Sequence, residues 1–86
     1  MDRPKRRGGL LLKDISDEVL VLDRDNGYIH QLNATARYVF EHCDGTASAE
    51  EIVDELARDF GVSAGDVEAD VRAALQQFGE LGLLES

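Results

Sequence analysis

The residues of this chain whose types could do chemistry are few and scattered. There is one cysteine, Cys43, and there are two histidines, His30 and His42, set among 18 Asp and Glu and 9 Lys and Arg. A metal centre built from His30, His42 and Cys43 is the first arrangement to test. His42 and Cys43 are adjacent in a stretch with helical spacing, so their side chains point about 100° apart around the axis, and no fourth ligand follows at zinc spacing. No serine stands with a histidine and an aspartate in a recognisable grouping, and no glycine loop suits a phosphate. Cys43 reads most simply as a small core residue. The expectation is therefore a protein that is not an enzyme and holds neither metal nor cofactor. Its work would be binding.

Binding must be done by whatever elements the chain can build. Eighty-six residues make one domain, and a chain of this size buries only ~60% of its unfolded surface. The 43% hydrophobic content is enough for one core. The net charge of −9 is unevenly placed, because residues 2–7 carry four basic side chains (Arg3, Lys5, Arg6, Arg7) against Asp2. The remainder is strongly acidic and repels a phosphate backbone, which argues against a nucleic-acid partner. Residues 1–9, ending in Gly8-Gly9, are expected to be a disordered, solvated basic tail, with the folded domain spanning residues 10–86. A single cysteine fits a reducing compartment. No apolar run approaches the length of a membrane span, and Leu10 to Leu12 is too short for a signal-peptide core. The expected location is the cytoplasm, with no membrane partner.

Leu10 to Ile15 and Glu18 to Leu22 are short apolar runs bounded by turn formers, and each reads as a strand. Ser16-Asp17 supplies the first turn. Asp23 to Gly27 supplies the second, where Asn26-Gly27 readily accepts positive φ. Tyr28 to Leu32 then returns as a third antiparallel strand, so the outer strands of the meander carry unpaired backbone groups. From Asn33 the period changes from two to about 3.6. Asn33 is a good N-cap for a helix with Ala36, Val39, Phe40 and Cys43 on one face, stopped by Asp44-Gly45. Ser48 and Glu51 form a capping box ahead of a second helix, with Ile52, Val53, Leu56 and Phe60 on one side and Gly61 at its end. Ser63 and Asp66 offer a third start. Val67, Val71, Ala74, Leu75, Phe78 and Leu81 follow as a long apolar stripe, and Leu83-Leu84 packs back after Gly82. The predicted fold class is α+β: a three-stranded antiparallel meander followed by three helices (βββααα), similar to a winged helix-turn-helix.

The ordered set His30-Gln31-Leu32-Asn33-Ala34-Thr35-Ala36, Cys43-Asp44-Gly45, Glu51-Ile52-Val53, Asp70-Val71 and Gly82-Leu83-Leu84 resembles the PqqD family. There, an L-N-x-T-A junction leads into a helix, a D-G turn and an acidic second helix. The likeness spans residues 10–84. It implies a domain that binds the leader of a ribosomally made precursor peptide and presents it to a modifying enzyme. In PqqD that enzyme is a radical S-adenosylmethionine maturase of pyrroloquinoline quinone assembly; similar domains serve lasso-peptide proteases. Asp23-Arg24-Asp25-Asn26-Gly27 stands where PqqD proper has a proline-containing segment, so the resemblance leaves the product open between pyrroloquinoline quinone and another modified peptide.

An exposed third strand can accept an extended peptide by β-strand addition. Each net hydrogen bond contributes only ~1 kcal/mol, whereas micromolar affinity requires ~8 kcal/mol, so apolar anchors are needed as well. The family geometry implies a groove with Tyr28, Ile29, His30, Gln31 and Leu32 on one wall and Val71, Arg72, Leu75 and Phe78 on the other. Asp70 and Arg72 would meet charges on the leader. On helical spacing alone Val71, Leu75 and Phe78 read more readily as core than as groove residues. Two other roles compete. A winged-helix DNA-binding regulator conflicts with Asp54, Glu55, Asp59, Glu68 and Asp70 on the helices that would enter the groove of DNA. A structural subunit would be a monomer or a weak dimer through an edge strand.

Overall fold

The structure is a computed structural model that describes residues 3–16 and 18–85. Met1, Asp2, Asp17 and Ser86, with the parts of the expected tail and first turn that fall on them, lie outside the described residues. Strands β1 (Leu10–Ile15), β2 (Glu18–Asp23) and β3 (Tyr28–Leu32) form one antiparallel sheet in the order β1-β2-β3, and helices α1 (Ala34–Glu41), α2 (Ala49–Phe60) and α3 (Ala64–Glu80) follow. This is the α+β arrangement read from the sequence.

Local chemistry explains the joints. Ser16 takes a left-handed φ of 57°, as a tight hairpin between the paired Ile15 and Glu18 requires. At the second hairpin the Asp23 carboxylate accepts hydrogen bonds from the Asn26 backbone N–H at 3.3 Å and side-chain amide at 2.9 Å. Gly27 then turns the chain at φ 74°. Asn33 caps α1 through its side-chain oxygen, which accepts from the Ala36 N–H at 2.8 Å. Ser48 and Glu51 make the reciprocal capping box on α2. Ser63 occupies the N-cap of α3, but its side chain makes no capping bond, so only half of the expected signal is used there.

The sheet has one covered face. Val19, Val21 and Asp23 of β2 share that face with Leu10 and Leu12 of β1 and with His30 and Leu32 of β3. The opposite face carries a row of Leu11, Leu22 and Ile29. The core joins Val21 and Leu32 to Val39, Phe40, Ile52, Leu56, Val71, Phe78 and Leu83, and Phe40 meets Phe78 edge to face at 5.5 Å. Phe60 and Leu81 depart from their expected core positions and are exposed. Phe60 instead meets the ring of Tyr38 edge-on at 5.6 Å, and Leu81 follows the last turn of α3, where Gly82 redirects the chain at φ 72°.

The N-terminal segment also differs from expectation. Residues 4–7 are not a solvated tail but a strap laid between two other segments. The Arg6 N–H donates to the Cys43 carbonyl at 2.7 Å and the Arg7 N–H to the Leu83 carbonyl at 3.0 Å. Gly45 and Glu85 donate back to the carbonyls of Pro4 and Lys5. Pro4 is fully buried. The Arg6 guanidinium caps the carbonyls of Phe40 and Glu41, each at 3.1 Å, and lies over the Phe40 ring. Basic residues stay in place here because helix-end carbonyls and the buried Asp23 carboxylate receive them.

Candidate functional site

β3 pairs with β2 on one side, and among the described residues no strand adjoins its other edge. Tyr28 and Ile29 are 63% and 66% exposed. Ile29 lies on the open face of the sheet beside Leu22, while Leu32 is buried against the helices. His30 is half-buried on the covered face, where its Nε2 finds no hydrogen-bond partner among the described residues. Gln31 is exposed.

Below the end of β3 a groove of about 260 Å³ runs between the start of α1 and the middle of α3. Asn33, Thr35, Ala36, Asp70, Ala73, Ala74 and Gln77 line it, and it continues over Gln31 and Leu32. The α3 wall is thus built from residues 70, 73, 74 and 77, which follow one another at helical spacing. Alanines at 36, 73 and 74 keep the floor low, while Gln31, Asn33 and Gln77 offer amide donors and acceptors at the rim. Among the described residues Asp70 is the only ionisable group lining it. A short extended segment with one side chain seated on the alanine floor fits this shape, and a basic group on that segment would meet Asp70.

The structure therefore brings together only part of the site expected from the sequence. Gln31, Leu32 and Asp70 border the groove, and Tyr28 and Ile29 continue along the same strand. Val71, Leu75 and Phe78 do not face it, because all three are buried in the core. Arg72 lies on the other side of α3, where it donates to Glu68 at 3.0 Å and to Glu50 of α2 at 3.3 Å. The reason is rotation: α3 gives its apolar stripe to the interior and meets the sheet edge with the adjoining face. Thr35, Ala73 and Gln77 line the groove although the sequence does not assign them to it. Thr35 stands in the L-N-x-T-A junction, whereas nothing in the types of Ala73 and Gln77 marks them and their signal is only a helical offset from the stripe.

The other reactive groups are occupied structurally. Burial pushes the Cys43 thiol up to about 12. The Tyr38 hydroxyl donates to Asp59 at 2.6 Å, and burial together with that carboxylate raises its pKa. The His42 ring stacks on Tyr38 at 4.0 Å with Nε2 3.5 Å from Glu55. Among the described residues no three His, Cys, Asp or Glu gather as a metal site. No helix among them is long and apolar enough to cross a membrane.

The family described as coenzyme PQQ synthesis protein D (PqqD) matches residues 18–84, from the start of β2 to the tail after α3. The chain belongs to the PqqD family. That span contains the β3 edge, the α1 cap and the α3 wall, and stops short of β1 and the N-terminal strap. No curated protein matches the chain significantly. Two solved structures share the fold of this PqqD-family chain over nearly its whole length. TbiB1 in complex with the TbiA(beta) leader peptide is 28% identical, with a TM-score of 0.78 and 95% of each chain covered. A lasso peptide synthetase B1 complexed with the leader peptide is 21% identical, with a TM-score of 0.80 over 98% of this chain and 99% of the other.

Proposed function

We propose that this domain binds the leader of a ribosomally made precursor peptide along β3 and presents the precursor to a modifying enzyme, such as a radical S-adenosylmethionine maturase or a leader protease. The observation that carries the reading is the unpaired β3 edge running into a shallow groove between α1 and α3. Membership of the PqqD family and the likeness to TbiB1, solved with a leader peptide, support it. Main-chain hydrogen bonds to Tyr28 through Leu32 would supply affinity, and the groove would select one or two leader side chains. The contact residues we assign are Tyr28, Ile29, Gln31 and Leu32, with Asp70, Ala73 and Gln77 opposite. The role is non-catalytic and cytoplasmic. The acidic surface does not favour duplex DNA as a partner.

The test is a titration with the leader of the short precursor encoded nearest the gene, followed by backbone amide resonances. The expected result is saturable shifts at Tyr28 to Leu32 and at Ala73 to Gln77, with slowed exchange along β3. Unchanged β3 amides at near-millimolar peptide would overturn the assignment. Salt-dependent binding to duplex DNA at physiological ionic strength would replace it with the regulator reading.

A further inference from the structure

We infer that Arg7 is a positioning residue for the peptide site: it ties the β2–β3 hairpin to the end of α3 and so fixes how the two walls of the groove face each other. The inference rests on the peptide-binding reading, and Arg7 lies outside the span matched by the family. Besides the neighbouring Gly8 carbonyl at 3.0 Å, one guanidinium reaches three distant places. Nη2 donates to the fully buried Asp23 carboxylate at 2.7 Å, Nη1 donates to Asp25 at 3.1 Å, and Nε donates to the Gly82 carbonyl at 2.7 Å. Asp23 ends β2 and Asp25 lies within the turn that launches β3, and Gly82 follows the last turn of α3. The Arg7 backbone N–H adds a bond to the Leu83 carbonyl at 3.0 Å.

The core packs the sheet against the end of α3 through apolar contacts such as Val21, Phe78 and Leu83, and the Arg7 guanidinium adds directed polar bonds to them. β3 continues directly into α1 only at its other end, at Asn33. Asp23 shares its carboxylate with the Asn26 amide, so Arg7 acts on the same atoms that shape the turn. Planar, five-donor geometry is what the task demands: a guanidinium can hold two carboxylates and a carbonyl at fixed angles, whereas an ammonium is a point charge. Preorganisation then enters the affinity directly, because apparent binding weakens by the fraction of molecules holding the competent arrangement.

The experiment compares Arg7→Lys and the neutral pair Arg7→Gln/Asp23→Asn with the parent chain. Spin labels are placed at Arg24→Cys and Glu80→Cys, both exposed, while Cys43 stays buried. Melting temperatures are read alongside, and affinity is measured for the adjacent precursor's leader and for the TbiA(beta) leader. Arg7→Lys should remain folded, because it keeps a cation beside Asp23, yet the distance distribution between the labels should broaden. Leader affinity should fall about tenfold if the competent arrangement drops to roughly a tenth of molecules. The neutral pair should show the same broadening without a buried uncompensated charge. A label distribution as narrow as the parent's in both folded variants would overturn the inference, as would undiminished leader affinity. Failure of the parent itself to bind either leader would defeat the peptide-binding reading instead, and the label distances would still decide whether Arg7 sets the spacing.

Discussion

Asn33 shows how much one side chain can settle. Its oxygen satisfies the Ala36 N–H at 2.8 Å, so the chain leaves β3 and enters α1 within a single residue, and the same side chain borders the groove. Removing the cap in Asn33→Ala should cost about 1 kcal/mol. In a domain of this size that lowers the melting temperature by about 4–8 °C. Asn33→Asp keeps an acceptor at the same place and should restore most of the loss; a full loss in the Asp variant would show that the cap is not what matters. This role was legible in the sequence because capping is local chemistry, decided by a residue and the three that follow it. The position of His30 was not. Its Nε2 has no hydrogen-bond partner among the described residues, and that depends on what the rest of the fold brings over it.

At the scale of elements, the helical period was easier to read than its phase. The spacing of Val71, Ala74, Leu75 and Phe78 announced an amphipathic α3, and those four residues are its buried ones. What spacing cannot say is which flank of the stripe meets the sheet edge, since that follows from packing against α1 and α2. The groove wall is consequently Asp70, Ala73 and Gln77, with Ala74 shared between wall and core, and residues outside that overlap are separated by substitution. Ala73→Trp, on an exposed position, should change stability by less than about 0.5 kcal/mol. It should also fill the groove and weaken leader binding by about tenfold or more, an effect of roughly 1.4 kcal/mol. Phe78→Ala should do the opposite. It opens a cavity where the Phe40 ring now packs and should cost about 3–5 kcal/mol, enough to threaten folding. Calorimetric titration and thermal melts on the two variants distinguish wall from core. Equal binding by Ala73→Trp and the parent would move the peptide site elsewhere.

For the whole molecule, the N- and C-terminal segments close the fold together. The strap reaches the end of α1 and the tail after α3, and neither contact could be foreseen from a local basic sequence, because the carbonyls and buried acid that receive it lie more than a dozen residues away. A chain beginning at Leu10 should therefore melt below the full chain, as it loses buried Pro4, the Arg6 bonds to α1 and the Arg7 partner of Asp23. Acid should act on the same tie. The Asp23 carboxyl is held down at about 2, from an ordinary 3.8, by the Asn26 amide and then by Arg7, despite its burial. A carboxyl with a lowered folded-state pKa contributes its full stabilisation above the unfolded value and loses it as the pH falls through the folded one. The contribution of Asp23 is thus complete above about pH 4 and disappears between about 4 and 2. Melting temperatures followed from pH 5 to pH 2 should drop more steeply in the parent than in Asp23→Asn, which has no proton to gain at that site. Parallel curves would mean that other carboxylates govern acid unfolding and that the Arg7–Asp23 tie contributes little to the closure of the domain.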